Sequence, residues 1–175
     1  MRVAVPPRSL LSLILGAVAR VASADPTPEP PLWDAEVRAG YGVELDGGQG
    51  PTGTRPSPLT VQALVDFAVI EQPHVYAVGG VMAETIGRSS IGGMAGVELR
   101  PDGSPLHLGA GAVYIVAPYT LWGAMASGGY CRQQGKMLAL CGDLQLTAYF
   151  AGTDLPMKRD ATQVQLAFGV KFDAL

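Results

Sequence analysis

The chain has 175 residues, of which 48% are hydrophobic and 15% are charged, with a formal net charge of −3. This length is enough for one domain, and 23 glycines argue against a helical bundle because glycine is a poor helix former. The acidic balance argues against nucleic acid as a partner.

The first 24 residues have the features of a cleaved signal peptide. Arg2 and Arg8 precede a short apolar run at 10–18, and Ala22-Ser23-Ala24 fits a signal peptidase site. The run is well short of the roughly 20 residues that a membrane-spanning helix needs. The segment holds three arginines and no acidic residue, so its removal shifts the net charge from −3 to −6. We expect a proline-rich linker at 25–31 and a single domain at 32–175.

Segments that alternate between apolar and polar residues fill that domain, which is the pattern of strands with one apolar face. In the first of them, Val37 and Tyr41 alternate with Glu36 and Arg38. Most links between the segments are short and contain glycine, proline or aspartate, so neighbouring strands should be antiparallel. The predicted fold is all-β, an eight-stranded antiparallel up-and-down barrel, because closure removes both sheet edges. The predicted strands are about 33–46, 58–70, 74–86, 89–100, 105–117, 120–131, 136–151 and 162–173.

The length and composition of these segments indicate that the apolar faces point outward into lipid. They are longer than the 5–6 residues usual in soluble proteins, and membrane strands need about 9–11. Faces rich in glycine and charge suit the narrow interior of an eight-stranded barrel. Trp33, Trp122, Tyr130 and Phe172 lie near strand ends, where aromatic rings favour a membrane interface. The alternative is a soluble periplasmic or secreted lipocalin-like barrel whose apolar interior binds a small apolar ligand.

In the transmembrane arrangement, nine charged side chains face the barrel interior, the lumen. Buried charges need partners, so we expect an ion-pair network that plugs the lumen. Met94, Met137 and Tyr149 should add bulk there, which disfavours the alternative of a narrow pore. The predicted network comprises Glu36, Arg38, Glu44, Asp66, Glu84, Glu98, Arg100, Asp143 and Lys171.

The two cysteines, Cys131 and Cys141, flank a short turn at 132–136, and both fall on the predicted lumen face. In an exported protein this placement favours a disulfide. The alternative is two unpaired thiols whose Cα atoms are too far apart to bridge. A metal site would need two further ligands nearby, and we predict neither a metal site nor a cofactor.

In these features the chain resembles the small eight-stranded outer-membrane barrels of Gram-negative bacteria, with the OmpA/OmpX-like architecture. The resemblance covers the strand pattern of 32–175 and the final segment "QLAFGVKF". That segment is similar to the family's assembly signal, with Gln165, Val170 and Phe172 in the expected places. Ala167 stands where the family has glycine, and three residues follow the aromatic.

The resemblance implies an outer-membrane location, recognition by the outer-membrane assembly machinery, and periplasmic termini. The long links at 47–57 and 152–161 would then be extracellular, and we expect a monomer with a structural or surface-interaction role. Membrane lipid and lipopolysaccharide are the expected partners, the latter through Arg55 and the "MKRD" stretch at 157–160.

Some proteins of this family modify lipid A with a histidine, a serine and an acid near the outer leaflet. Here His74 and His107 begin the third and fifth predicted strands, at the periplasmic end, whereas Ser89 and Ser90 lie toward the outer end. We therefore predict no enzymatic role, with a lipid A-modifying enzyme as the less favoured alternative.

Overall fold

The structure is a computed structural model that describes residues 31–46, 54–70, 74–135, 137–153, 155 and 160–173. The predicted signal peptide at 1–24 lies outside the described residues, as does the predicted linker up to residue 30. Parts of the two predicted long loops, 47–53 and most of 154–159, also lie outside them. No helix in the described part of the chain is long and apolar enough to cross a membrane.

Within the described residues the chain forms nine strands, and eight of them agree with a predicted strand to within two residues at each end. The addition is the short β2, which lies inside the predicted 47–57 loop. The strands are β1 (Trp33–Asp46), β2 (Thr54–Pro56), β3 (Thr60–Ile70), β4 (His74–Glu84), β5 (Ser90–Arg100), β6 (Leu106–Ala117), β7 (Leu121–Gln133), β8 (Leu138–Gly152) and β9 (Ala161–Asp173).

The strands form one closed antiparallel sheet. From β3 to β9 each strand pairs with the next in sequence, and β1 pairs with both β3 and β9. Strands β2 and β3 pair with the same edge of β1. The pairing with β3 ends at Gly40 and Thr60, and the pairing with β2 begins at Val43 and Pro56. Two residues of β1 therefore oppose residues 57–59, which is a one-residue bulge in a single interrupted strand. The prediction of an eight-stranded antiparallel up-and-down barrel is confirmed.

The two ends of the barrel differ in what they carry. The end with Pro31 and Asp173 also carries the β3–β4, β5–β6 and β7–β8 links, and is named here the terminal end. The opposite end carries the β1–β2, β4–β5, β6–β7 and β8–β9 links and is named the distal end. Positions inside the barrel are described below by their distance from these two ends.

The apolar faces point away from the barrel interior, as predicted. Val37, Val65, Leu146 and Phe168 are 52%, 38%, 47% and 70% exposed, whereas their polar neighbours in sequence, such as Glu36 and Gln145, are buried. This orientation is the opposite of the one that a lipocalin-like barrel requires. The outer surface is thus an apolar face that only a membrane or another apolar partner can cover.

Paired glycines allow two neighbouring strands to approach closely. Gly96 on β5 lies directly opposite Gly111 on β6. A Cβ atom on Gly96 would lie 2.3 Å from the carbonyl oxygen of Ala110, and one on Gly111 would lie 2.4 Å from that of Ala95. No larger side chain fits either position without a shift of backbone, so glycine is required at both.

The interior also contains an apolar layer that is larger than predicted, although two of its members, Met94 and Tyr149, were expected inside. Met82, Met94 and Met125 pack with other buried apolar side chains between the middle of the barrel and its distal end. Eight strands leave room only for side chains, and flexible methionines fill irregular space well. The prediction that Met137 lies inside is wrong, because it precedes β8 and is 50% exposed. The layer further includes Leu64, Val113, Ile115, Leu121, Tyr149 and Ala161.

Candidate functional site: the barrel interior

The structure places all nine predicted network residues on the inner face, but it divides them between the two ends. Seven lie near the terminal end, whereas Glu44 and Glu84 lie near the distal end. The seven are joined there by two residues that were not part of the predicted network, Asp34 and His107. The terminal-end cluster, as it is named here, consists of Asp34, Glu36, Arg38, Asp66, Glu98, Arg100, His107, Asp143 and Lys171.

Arg100 connects acids from three strands of the terminal-end cluster. Its Nη1 lies 2.5 Å from Asp34 Oδ2, its Nε lies 2.6 Å from Glu98 Oε1, and its Nη2 donates to Asp66 Oδ2. The guanidinium carbon lies 3.8 Å from the centre of the Tyr76 ring, in a cation–π contact. A planar guanidinium has donors enough for several carboxylates at once. Arg100 is therefore the central cation of this cluster.

Lys171 is a second, more deeply buried cation beside it. Its side chain is 5% exposed, and four carboxylates surround the ammonium group. The distances from Nζ are 3.1 Å to Asp66 Oδ2, 3.4 Å to Glu98 Oε1, 3.5 Å to Glu36 Oε2 and 3.6 Å to Asp34 Oδ1. Because Arg100 and Lys171 share three of these acids, the acids of β1, β3 and β5 are held in one network.

Arg38 extends the network toward mid-height. Its Nη1 lies 3.8 Å from Asp143 Oδ1, and its Nε donates to Gln62 Oε1 at 2.6 Å. Gln62 in turn donates to Gln145 Oε1 at 3.3 Å. The polar chain thus crosses the lumen from the neighbouring strands β1 and β3 to β8, which pairs with neither of them.

Above this polar region a small cavity borders the apolar layer. Its volume is about 20 Å³, close to the space that one water molecule needs. Arg38, Glu98 and Ser127 supply polar groups to its lining, and Met94 and Met125 supply apolar ones. The cavity is too small for an organic ligand, so it gives no support to a ligand-binding lumen.

A separate polar group lies at the distal end around Glu84. Arg88 donates to both carboxylate oxygens of Glu84, at 2.6 and 2.7 Å, and Ser90 and Tyr119 donate to the same side chain at 2.5 and 3.2 Å. Burial alone would lower the pKa of Arg88, but its hydrogen bonds and the charge of Glu84 outweigh burial and raise it. Burial raises the pKa of Tyr119 to about 12. Both groups therefore keep their ionisation state at any physiological pH.

Glu44 forms the second distal contact. Both Nε and Nη2 of Arg55 donate to Glu44 Oε1, the former at 3.1 Å, and Gln163 donates to Oε2 at 3.1 Å. Arg55 lies on β2, and its side chain is 57% exposed. An ion pair that the strand pattern did not predict therefore holds the short strand β2 against the distal end of β1.

The predicted assembly-signal residues lie on β9 and face different sides. Gln165 points inward and donates to Ser57 Oγ and to the carbonyl oxygen of Pro58, each at 3.0 Å. Phe172 points outward near the terminal end. Val170 pairs with Val37 of β1. Gln165 thus holds the bulge at 57–59 in the distal mouth, and the assembly signal itself stays a prediction.

The two cysteines are bonded, and both histidines lie at the terminal end. Cys131 and Cys141 oppose each other on β7 and β8 and form a disulfide. His74 pairs with Asp102 in the β5–β6 link, and His107 lies inside the cluster. The two cluster residues that were not predicted could have been found from alternation. Asp34 is two residues from Glu36 and His107 is two residues from Gly109, so each shares the inner face with that residue.

No family model matches the chain, and no curated protein matches it. Among solved structures, the fold is similar to that of Neisserial surface protein A (NspA), an eight-stranded outer-membrane barrel. The TM-score is 0.50 at 10% sequence identity, and the match covers 81% of this chain and 97% of NspA. This likeness shows that the chain has the fold of a small outer-membrane barrel.

Proposed function

We propose that the protein is an integral outer-membrane β-barrel of a Gram-negative bacterium with a structural or surface-interaction role and no enzymatic activity. The observation that carries this proposal is the orientation of the strands, with aliphatic side chains outside and ionised ones inside. Exposure of this apolar face to water would cost free energy, whereas its contact with lipid is favourable. The charged side chains inside the barrel are paired with one another.

The height of the apolar face supports the same proposal. On β9 the outward side chains run from Val164 to Phe172, which is eight residue steps. At about 3.4 Å per residue and a tilt near 40°, these steps span about 21 Å. An apolar band of about 25 Å is typical of outer-membrane barrels, so the face is of the right size to cross such a membrane.

In this proposal the terminal end faces the periplasm and the distal end faces outward. The predicted signal peptide at 1–24 would direct export, and the assembly machinery would recognise the final strand. Arg55 and the basic residues near 158–159 would then lie close to the anionic headgroups of lipopolysaccharide. The protein would act as a monomer that presents its two long distal links to the outside.

The lumen in this proposal is plugged and does not conduct ions. The support is the filling of the lumen by side chains: the terminal-end cluster at one end, and apolar side chains together with the contacts of Glu44 and Glu84 toward the other. A narrow pore would need an open path, whereas buried side chains of the described residues fill the lumen and the cavity among them has a volume of only about 20 Å³. Planar-bilayer recordings of the refolded protein should therefore show no discrete conductance steps.

Cell fractionation combined with a heat-modifiability gel tests the membrane assignment. We expect the protein in the outer-membrane fraction, soluble only with detergent, with a mobility on unheated gels that differs from that of the boiled sample. Recovery from the periplasm in detergent-free buffer would contradict the proposal and restore the lipocalin-like alternative. Unchanged lipid A in cells lacking the protein is the expected result for a non-enzymatic role.

A further inference from the structure

A histidine and an acid on non-adjacent strands meet across a glycine at the terminal end. His107 on β6 lies opposite Gly129 on β7, and Gly129 lies opposite Asp143 on β8. His107 Nε2 and Asp143 Oδ1 are 2.5 Å apart, although a strand separates the two residues. The pair therefore reaches over the position of Gly129.

The absence of a side chain at Gly129 makes this contact possible. A Cβ atom there would lie 2.5 Å from Asp143 Oδ1 and 2.7 Å from His107 Cε1. Neither distance is compatible with van der Waals contact, so any larger residue would push the imidazole and the carboxylate apart. Gly129 is thus a positioning residue for the His107–Asp143 pair.

The disulfide lies immediately beside this pair. Cys131 follows Gly129 by two residues and Cys141 precedes Asp143 by two, so all four share the inner face. His107 Nδ1 lies 3.7 Å from Cys131 Sγ. With Nε2–H donated to Asp143, Nδ1 is the nitrogen that can accept a proton from the Cys131 thiol once the disulfide is reduced. The resulting order, carboxylate–imidazole–sulfur, is the arrangement that activates a thiol nucleophile.

The two sulfur-bearing residues also differ in accessibility. Cys141 is 4% exposed, whereas Cys131 is only partly buried and lies close to the terminal rim. An external thiol therefore reaches Cys131 more easily than Cys141. The accessible cysteine is also the one that contacts the histidine, which is the division of labour expected of a reacting and a resolving cysteine.

We propose that the Cys131–Cys141 bond is a redox-active disulfide that exchanges with external thiols. Cys131 is the reacting sulfur, Cys141 is the resolving one, and the His107–Asp143 pair is the acid–base partner of Cys131. The co-reactant is a dithiol, either a small molecule or a pair of cysteines on a periplasmic protein, and the reaction is reversible.

The exchange balances as follows. One thiol of the dithiol loses its proton to His107 Nδ1 and attacks Cys131 Sγ, and the disulfide breaks with its electron pair on the Cys141 sulfur. The second thiol gives its proton to the Cys141 thiolate and attacks the mixed disulfide, and Cys131 leaves as a thiolate beside the protonated His107. The dithiol is oxidised to a disulfide by two electrons, and its two protons remain on Cys141 and on the Cys131–His107 pair.

Reduction of the folded barrel tests the proposal directly. The refolded protein in detergent is treated with dithiothreitol without denaturant, and free thiols are trapped at intervals with a maleimide reagent. Heat-modifiable mobility reports in parallel that the barrel stays folded. We expect the disulfide of the folded protein to be reduced. His107→Gln and Gly129→Ala should slow this reduction about tenfold, because a free thiol is only a few per cent thiolate at neutral pH and these variants remove or displace the base that deprotonates it. Ser127→Ala, on the same strand and face, should match the unmodified protein.

Single-cysteine variants give a measurement that does not depend on the fold of the His107 variant. In Cys141→Ser the remaining Cys131 should react with 5,5′-dithiobis(2-nitrobenzoate) about tenfold faster than Cys141 does in Cys131→Ser. Equal rates in the two variants, or reduction of the disulfide only after unfolding, would overturn the proposal and leave a purely structural bond.

Discussion

Replacement of Arg100 by methionine is the most direct test of how the barrel interior is stabilised. Methionine keeps an unbranched side chain of similar length but removes the charge that three acids share. Asp34, Asp66 and Glu98 would then depend on Lys171 alone, whose ammonium lies 3.1–3.6 Å from them. The Arg100 side chain is only 16% exposed, so solvent cannot replace the lost partner.

The expected cost follows from this burial. Removing one partner of a buried ion pair typically costs about 3–5 kcal/mol, because the other charge stays buried without compensation. We expect Arg100→Met to lie in this range. Arg100→Lys keeps the charge but cannot make all three contacts, and it should cost about 1–2 kcal/mol. Arg132→Met, an exposed change on β7, is the matched control and should stay within about 0.5 kcal/mol.

Urea unfolding of the protein in lipid vesicles measures these differences. The fluorescence of Trp33 and Trp122, which lie near opposite ends of the barrel on the outer face, reports the transition. A parallel gel-mobility assay reports the folded fraction independently. A cost below about 1 kcal/mol for Arg100→Met, or one equal to that of Arg132→Met, would refute the view that Arg100 is the central cation.

Three further predictions concern the outer face, the wall and the distal rim. Phe168→Lys, at mid-height on the lipid side, should cost about 2–4 kcal/mol in vesicle unfolding, and Phe172→Lys near the rim about 0–1; equal costs would contradict the membrane placement. Gly96→Ala should destabilise the barrel by about 1–3 kcal/mol, whereas Gly79→Ala enters open space and should be nearly neutral. The pKa of Tyr119 is raised from 10.0 to about 12, so its contribution to stability is present below pH 10 and lost as the pH rises to 12. Tyr119→Phe should therefore flatten the decline of stability between these pH values, and an unchanged decline would exclude Tyr119 as its source.

The alternation of residue types predicted the wall of the barrel well because it is a local property. Period-2 patterning decides which side of a strand each residue faces, whatever its neighbours are. Val37 outside and Glu36 inside follow from this rule alone. The pattern was less informative where the inner face carries apolar residues, as with Val113 and Met125, because alternation then disappears and the lumen was predicted to be more polar than it is.

Other features could not follow from local patterns. The strand β2 has three residues, contains Pro56 and lies in a glycine-rich segment, so it carries no strand signal. Its place on the edge of β1 depends on Arg55 reaching Glu44 and on Gln165 holding Ser57, contacts between segments up to 108 residues apart. The role of Gly129 likewise depends on which residues lie opposite it on two neighbouring strands.

Alternation and short turns were enough to predict the number of barrel strands, their antiparallel order and the face that most side chains occupy. Only the assembled barrel shows which charges meet: Arg100 with Asp34, 66 residues away, and His107 with Asp143, 36 residues away. The physical reason is that partners inside a barrel are set by register and closure. Register and closure depend on how all the strands pair at once, and no single stretch of the chain contains that information.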